Sequence, residues 1–300
     1  MQLDGLKQAP FNVTLMGALS GTLRYYRIAA SDPYLYGASG HAFLMNVHSE
    51  LCPSGPYCWN RQPAFALLRN VGLDITPLGY FDASSPPSER AAVERRLREA
   101  LTLGAPCFLV NMEFQLVTGY DETGFLTAQP WPGHDFPPAH LTFGSWSELG
   151  DEIHLDFHIV DALPPLDRLA TMTASLRHAV DLWRHPERHS RSPYSVGGGA
   201  YENWEAAVRA GEGGSHGNWW NGMVWSESRR MAGEYLTEVA PILPLEAEGL
   251  AAEYAAIGSL LQRASEKALA DEPKLALLGE AHRREAACID RIEALLPRLP

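Results

Sequence analysis

The segment 113–131 constrains the fold of this chain more than any other stretch. Residues 114–119 form a β-rich apolar run, residues 121–124 (Asp-Glu-Thr-Gly) supply turn chemistry, and residues 125–128 form a second short β-rich run. Pro130 ends the second run because proline has no N–H to donate to a strand ladder. The pattern predicts a buried β-hairpin.

A helix is predicted near the start of the chain, over residues 15–26, with Asn12 or Thr14 as its cap. Its apolar residues recur at steps of three and four and give one buried face. They are Leu15, Ala18, Leu19, Leu23 and Tyr26.

The rest of the first half alternates between helix and strand patterns. Helices are predicted over residues 61–71 and 89–103, each ended by a glycine. Strands are predicted over 73–81, 107–110 and 153–160. In the last of these strands His154 and His158 lie on the polar face, which predicts that both are solvated.

Helix patterns dominate the second half. A proline pair at 164–165 marks a boundary, and five helices with short connections predict an antiparallel bundle. Their predicted spans are 166–183, 201–210, 218–240, 245–269 and 274–296. The predicted fold class is α+β, with a mixed domain over residues 1–162 and an all-α domain over 163–300.

Charge and composition exclude several classes of partner. The net charge of −12 argues against nucleic-acid binding, which depends on Lys and Arg neutralising phosphates. No apolar run reaches the ~20 residues that span a membrane, and no signal peptide is evident, so a cytoplasmic protein is expected. Four cysteines lack metal spacing, so neither a metal nor a cofactor is predicted. Cys52 and Cys58 could be bridged, although free thiols fit a cytoplasmic protein better.

The hairpin and the first helix together resemble the papain-like cysteine peptidase superfamily. The resemblance is closest to bacteriocin-processing (double-glycine leader) peptidases and butirosin-type acyltransferases. Gly119-Tyr120-Asp121 matches the end of the first catalytic strand in those families. Pro130-Trp131 matches the end of the second strand. The resemblance implies a papain-like first domain, in which a helix packs on an antiparallel sheet, followed by the helical domain.

The same resemblance assigns four positions to the catalytic machinery. Thr14 stands at the position of the nucleophilic cysteine, Glu113 at that of the histidine, and Gln129 at that of the orienting carboxylate. Gln8 matches the glutamine that helps form the oxyanion hole. The families perform acyl transfer through a cysteine acyl-enzyme, which requires a thiolate and an imidazole. Replacement of all three catalytic groups predicts that this mechanism is lost.

Two interpretations of Thr14 remain open: a helix cap, or a hydroxyl nucleophile with Glu113 as its base. A rival alignment makes Ser39 the nucleophile and His41 its base. His41 and His48 would share a face if this stretch were helical, where a histidine more often packs in the core or at its rim.

A dense group of aromatic and polar residues marks the second half. It is interpreted either as packing between domains or as one wall of a ligand pocket at the domain interface. The candidate ligand-binding residues, with Ser39 and His41, are Tyr201, Trp204, His216, Trp219 and Trp220.

Three functions are consistent with the sequence. The first is a non-catalytic papain-like protein that binds a small molecule or peptide, with Glu113 favouring a cationic group. The second is an acyltransferase or amide hydrolase with a rebuilt site that uses Thr14 or Ser39 as the nucleophile. The third is a protein that binds a partner through the helical half, for example as a homodimer.

Overall fold

A computed structural model describes residues 1–151 and 153–299 of the chain. The fold is α+β, as predicted. The chain forms two compact units, and each is built from two stretches of sequence. The first unit consists of residues 1–30 and 72–165, and the second of residues 31–71 and 166–300.

The first unit contains an antiparallel six-stranded sheet in the order β2-β7-β3-β4-β5-β6. Its strands are β2 (Leu73–Asp82), β3 (Cys107–Asn111), β4 (Glu113–Tyr120), β5 (Gly124–Thr127), β6 (His140–Thr142) and β7 (His154–Ala162). Two helices accompany the sheet, α1 (Thr14–Tyr25) and α4 (Pro87–Thr102). Helix α1 packs on β4.

The predicted hairpin is confirmed as β4 and β5, with Phe125 opposite Tyr120. Asp121 organises its turn, because one carboxylate oxygen accepts the backbone N–H groups of Thr123 and Gly124. A hydrogen bond from the Thr123 hydroxyl, together with these two, lowers the pKa of Asp121 to about 2. The turn is therefore made by the residues that predicted it.

Two local predictions in this unit are wrong. Val13 is the N-cap residue of α1 and makes no side-chain cap hydrogen bond, so neither Asn12 nor Thr14 is the N-cap residue. His158 is not solvated: it is 2% exposed and stacks on Phe108 with ring centroids 4.5 Å apart. Strand β7 lies between β2 and β3, and both of its faces are covered at this point, since Phe157 and His158 on opposite faces are buried.

The second unit is mainly helical. Its helices are α2 (Asp32–Ala38), α3 (Gln62–Leu67), α5 (Arg168–Arg184), α6 (Gly198–Arg209), α7 (His216–Val239), α8 (Leu250–Ala264) and α9 (Asp271–Leu295). The five helices predicted after the proline pair are all present as α5 to α9. Helix α7 contacts α2 and α8, while α9 contacts α5, α6 and α8.

Two differences from the predicted organisation concern residues 31–71. The predicted boundary at 162/163 is close to the observed change at 165/166, but residues 31–71 pack with the later helices and not with the sheet. The second unit is also not all-α, because β1 (Asn46–His48) pairs with β8 (Tyr194–Val196) as a short antiparallel ribbon. This pairing requires chain segments about 150 residues apart, which no local pattern indicates.

Candidate functional site

The beginnings of α1 and β4 place Thr14 and Glu113 together. Thr14 is the first residue of its helix and Glu113 the first residue of its strand. The preceding Met112 has a φ of 64°, a left-handed conformation that turns β3 into β4 and directs the chain back along the sheet. Because α1 packs on β4, the two first residues meet.

The Thr14 hydroxyl is fully engaged with β4. It donates to Glu113 Oε2 at 2.7 Å and accepts the backbone N–H of Phe114 at 3.1 Å. Thr14 is 1% exposed and Glu113 6% exposed. A hydrogen bond to a buried carboxylate is among the stronger kinds in proteins, so this pair ties the helix to the strand. The side chains that the resemblance assigns to the nucleophile and base positions are therefore adjacent.

Gln8 uses both ends of its amide on the backbone. Its Nε2 donates to the carbonyl of Phe114 at 2.8 Å and to that of Thr14 at 3.3 Å. Its Oε1 accepts the N–H of Leu116 at 2.9 Å. An oxyanion hole needs a donor directed at the reacting oxygen, and both N–H groups of Gln8 are already committed. Gln8 stands near Thr14 as its position predicts, but it serves as a structural link.

Gln129 follows β5 and is turned toward the next loop. Its Nε2 donates to the carbonyl of Pro137, while its buried Oε1 has no hydrogen-bond partner within residues 1–151 and 153–299. It therefore does not orient Glu113 in the way that a carboxylate orients a catalytic histidine. The predicted catalytic set is thus brought together in part: Thr14, Glu113 and Gln8 form one network, and Gln129 has a separate role.

Partly exposed apolar residues flank this network in the chain. Phe11 precedes Thr14 by three residues and is half-buried, and Met112, next to Glu113, is 45% exposed. Trp131 contacts Phe11, because its Nε1 donates to the carbonyl of Phe11 at 3.2 Å. We call Phe11, Met112 and Trp131 the apolar rim. Of the three, only Trp131 belongs to the segment that the sequence singled out.

The rival pair, Ser39 and His41, lies in the second unit and is not arranged as a nucleophile and a base. The Ser39 hydroxyl donates to the carbonyl of Tyr36 at 3.2 Å. The contact between the two residues runs from the His41 backbone N–H to Ser39 Oγ at 3.4 Å, so the imidazole is not involved. Residues 41–43 form a single 3-10 turn, and His41 and His48 do not share a helix face.

His41 is an interior residue. Its ring lies between those of Tyr36, Trp59 and Trp225, with centroid distances of 5.8–6.2 Å. Burial, together with the positive charge of Arg229, lowers the pKa of His41 to about 3. The ring is therefore neutral at physiological pH and is a poor general base.

Tyr201 and Trp204 are also core residues. The Tyr201 hydroxyl donates to Glu285 Oε2 at 2.6 Å, and its ring stacks on His282 with centroids 4.8 Å apart. Trp204 Nε1 donates to Asn218 Oδ1 at 2.8 Å. Both side chains are fully buried and these partners belong to the same unit, so the two residues pack in the core of the second unit.

His216, Trp219 and Trp220 form an aromatic strip at the start of α7. Successive ring centroids are 5.3 Å and 5.7 Å apart. His216 is exposed, Trp219 is half-buried, and Trp220 is buried, with its Nε1 donating to the Tyr57 hydroxyl at 3.1 Å. Lys267 Nζ lies 5.4 Å from the centre of the Trp219 ring, so the chain itself already provides a cation there.

The predicted site residues therefore fall into both compact units. Thr14, Glu113, Gln129 and Gln8 belong to the first unit. The second contains the other seven, which are Ser39, His41, Tyr201, Trp204, His216, Trp219 and Trp220.

Sequence reasoning missed the buried ion pair of the second unit. Arg229 and Glu285 are both fully buried, and Nε of the arginine donates to Oε2 of the glutamate at 3.0 Å. Arg229 Nη1 also donates to the carbonyls of Ala42 and Leu44. The sequence does contain a sign of this pair. Arg229 and Glu285 lie on the same helix faces as the buried residues of α7 and α9, where a charged residue needs a partner.

Comparison with known proteins assigns no family to the chain. No family model matches it, and no curated protein matches it significantly. In the described part of the chain no group of three or more His, Cys, Asp or Glu side chains is placed to hold a metal ion. Nor does any described helix have the length and apolar character needed to cross a membrane.

Proposed function

We propose that the first unit is a papain-like domain that has lost cysteine chemistry and binds a small molecule or peptide beside Thr14 and Glu113. The observation that carries this proposal is the hydrogen bond of 2.7 Å from the Thr14 hydroxyl to the buried Glu113 carboxylate. It joins the two positions at which the resembling families place their nucleophile and base.

Three features support the papain-like assignment. Helix α1 packs on the antiparallel sheet at β4, which is the arrangement that the resemblance implies. Gln8, six residues before Thr14, lies beside the start of the helix. The hairpin of β4 and β5 carries Glu113 on its first strand and leads directly to Gln129.

The same contacts support loss of catalysis. Acyl transfer needs an activated nucleophile and donors free to stabilise an oxyanion. The Thr14 hydroxyl uses its proton on Glu113 and accepts a backbone N–H, and both Gln8 N–H groups are occupied. The hydrogen bonds that would stabilise a transition state instead stabilise the fold.

The chemistry of the surroundings indicates the class of ligand. The apolar rim offers two aromatic rings and a methionine, a combination that suits flat or apolar groups and adapts to their shape. The carboxyl group of Glu113 belongs to the residue that follows Met112 of this rim. We therefore expect a ligand that joins an apolar group to an amine.

A ligand-observed NMR screen tests this proposal. The screen uses short peptides and small amines. Each is compared with two analogues that share its apolar part, one in which a carboxylate replaces the amine and one that is neutral. We expect the amines to bind and Trp131→Ala to abolish their binding. Leu103→Ala is the control, because Leu103 is an exposed apolar residue (87%) of the same unit.

Glu113→Gln then tests the role of charge. If the carboxylate attracts the amine, this variant loses most of the preference for amines over neutral analogues. Equal binding of all three analogue classes to the wild-type protein, or an unchanged preference for amines in Glu113→Gln, would remove the charge argument. Binding that survives Trp131→Ala would place the ligand elsewhere and contradict the proposal.

The Thr14–Glu113 distance also favours a second candidate, a hydroxyl-based acyltransferase or amide hydrolase. In that reaction Thr14 Oγ1 would attack a carbonyl carbon, Glu113 would take the hydroxyl proton, and the departing amine would receive it. The product would be an acyl ester on Thr14.

Mass spectrometry after incubation with an activated aryl ester distinguishes this candidate. An enzyme would carry an acyl group on Thr14 or release phenol faster than Thr14→Val, and Thr102→Val would behave as wild type. If wild type and Thr14→Val give the same rate and no adduct, the hydroxyl is not a nucleophile.

Partner binding through the last two helices receives little support. Every leucine and isoleucine of α8 and α9 is buried or half-buried, so these helices lack an exposed face of large apolar side chains. A homodimer formed through these helices would therefore rely on polar contacts.

A further inference from the structure

Two cysteines of the second unit lie within one tightly folded loop, residues 52–58. Two hydrogen bonds wrap the loop in successive turns: Gly55 N–H donates to the Cys52 carbonyl, and Cys58 N–H donates to the Ser54 carbonyl. Both thiols are free; Cys58 is exposed and Cys52 half-buried. An oxidant in solution can therefore reach Cys58 first.

Two hydroxyl groups, those of Ser54 and Tyr194, lie between the two thiols. Ser54 Oγ lies 2.9 Å from Cys52 Sγ and 2.8 Å from the hydroxyl of Tyr194. Cys58 hydrogen-bonds the same tyrosine. Burial and this contact with Cys58 raise the pKa of Tyr194 to about 12, although Ser54 acts in the opposite direction. The pair of hydroxyls thus has one cysteine on each side.

The surrounding residues hold the loop in this shape. Asn46, on β1, donates through Nδ2 to the carbonyls of Gly55 at 2.7 Å and Cys58 at 3.1 Å. Trp59 Nε1 donates to the carbonyl of Pro56 at 2.8 Å. Tyr194 itself is fixed on β8, opposite His48. A pre-shaped loop reduces the conformational cost of joining its ends.

We propose that Cys52 and Cys58 form a reversible disulfide, which makes the 52–58 loop a redox-responsive modification site. Nothing in the proposed ligand site is needed for this inference. The oxidant is a small disulfide of the glutathione type. The other two cysteines do not compete, because Cys107 and Cys288 are buried and burial raises the pKa of both thiols.

The reaction takes two exchange steps. The Cys58 thiolate attacks one sulfur of the small disulfide, whose S–S bond breaks, and the released thiolate takes up a proton. The Cys52 thiolate then attacks Cys58 Sγ. It displaces the second small molecule as a thiolate, which also takes up a proton. In total two protein thiols are oxidised by two electrons, and one small disulfide is reduced to two thiols.

The new bond should be easy to reverse. It closes a ring of few residues, so it gains little from restricting the unfolded chain, in contrast to a disulfide that joins distant segments. It also removes both sulfurs from the hydroxyls of Ser54 and Tyr194. Excess reduced thiol should therefore restore the free pair.

Exposure of the full chain to oxidised glutathione, followed by acid quenching and mass spectrometry, tests the proposal. Wild type should release two thiols per chain, lose two hydrogens and yield a Cys52–Cys58 peptide on non-reducing digestion. Cys52→Ser should stop after one thiol and keep glutathione on Cys58. Cys58→Ser should react several-fold more slowly, because only the less exposed Cys52 remains.

Three results would overturn the proposal: an unmodified wild-type chain, a wild-type chain that keeps glutathione on Cys58 after one equivalent, or a bond that involves Cys107 or Cys288. Circular dichroism of both serine variants is compared with wild type first. Reduction of the oxidised chain by excess glutathione, with recovery of both thiols, completes the expected result.

Discussion

At the scale of single residues, Thr14 makes the contact that most clearly joins α1 to β4. Its hydroxyl connects a carboxylate and a backbone N–H of β4, and both partners are buried. A buried polar group that loses its partner costs more than the hydrogen bond itself contributed, since it cannot return to water. The network should therefore contribute measurably to stability.

Thr14→Val tests this contribution, because valine keeps the shape of threonine and removes only the hydroxyl. We expect the free energy of unfolding to fall by about 3 kcal/mol, since Glu113 and the Phe114 N–H both lose a partner. Urea denaturation measures the change. Thr102→Val, at an exposed helix threonine, should stay within about 0.5 kcal/mol of wild type. A similar small loss for Thr14→Val would contradict the prediction.

Two histidines that are shielded from water, the half-buried His178 and the buried His41, give a second residue-scale prediction, which concerns the pH dependence of stability. Burial lowers the pKa of His178 to about 4, with His189 acting in the same direction and Asp181 against it. In the unfolded chain the same imidazole has a pKa near ~6.5. Between these values the unfolded state binds more protons, so stability falls as the pH falls from about 6.5 toward 4. His41 acts in the same direction.

Replacement of His178 by glutamine should flatten this part of the pH profile. We expect wild type to lose about 1–3 kcal/mol through His178 over that interval and His178→Gln to lose correspondingly less. Urea titrations at pH 7, 5.5 and 4.5 measure the slope. His185→Gln is the control, because its half-exposed side chain should leave the slope unchanged. Equal slopes in all three proteins would show that His178 ionises normally.

At the scale of elements, α2 and α7 approach each other closely enough to exclude a side chain at Gly37. A Cβ built at Gly37 would lie 2.0 Å from Cγ of Tyr235. Tyr235 cannot move aside easily, since it is fully buried and its hydroxyl lies 2.9 Å from that of Ser175. The glycine therefore sets the distance between the two helices.

Gly37→Ala tests two opposing effects. Alanine favours a helix by roughly 1 kcal/mol over glycine, whereas overpacking costs about 1–3 kcal/mol. Because the collision is with the base of a fixed ring, we expect net destabilisation of about 1–2 kcal/mol, measured as a lower midpoint in urea. Gly214→Ala, where no atom lies within 4 Å of the new Cβ, is the matched control. A Gly37→Ala protein at least as stable as wild type would show that the helices can separate.

At the scale of the whole molecule, each unit is assembled from two separate stretches of chain. In the second unit Arg229 connects them: it pairs with Glu285 on α9 and donates to the carbonyls of Ala42 and Leu44. A second contact, Nη2 to Oε1 at 2.9 Å, is an ion contact without hydrogen-bond geometry. The buried pair therefore holds the 41–44 segment to the helices.

Removal of one charge of the Arg229–Glu285 pair should strongly destabilise the protein, because the other charge then stays buried without compensation. We expect Glu285→Gln to lower the free energy of unfolding by about 3–5 kcal/mol. Arg229→Met combined with Glu285→Leu should recover part of the loss. Arg284→Met, at a partly exposed pair on the same helix, should have a much smaller effect than Glu285→Gln. Equal effects of Glu285→Gln and Arg284→Met in urea denaturation would contradict the assigned role of the buried pair.

The sequence alone determined the local elements and their order. Hydrophobic periodicity predicted α1 and α5 to α9, and turn residues predicted the hairpin of β4 and β5, because these depend on neighbours a few residues away. The adjacency of Thr14 and Glu113 was also predictable, although only through resemblance to a known arrangement.

Tertiary structure alone decided what depends on contacts between distant segments. The pairing of β1 with β8, the transfer of residues 31–71 to the helical unit and the burial of His158 leave no periodic signal. The roles of Gln8 and Arg229 likewise follow from backbone groups that are distant in sequence. The physical reason is that burial and hydrogen-bond partners are set by packing across the whole unit, while sequence patterns report only local preference.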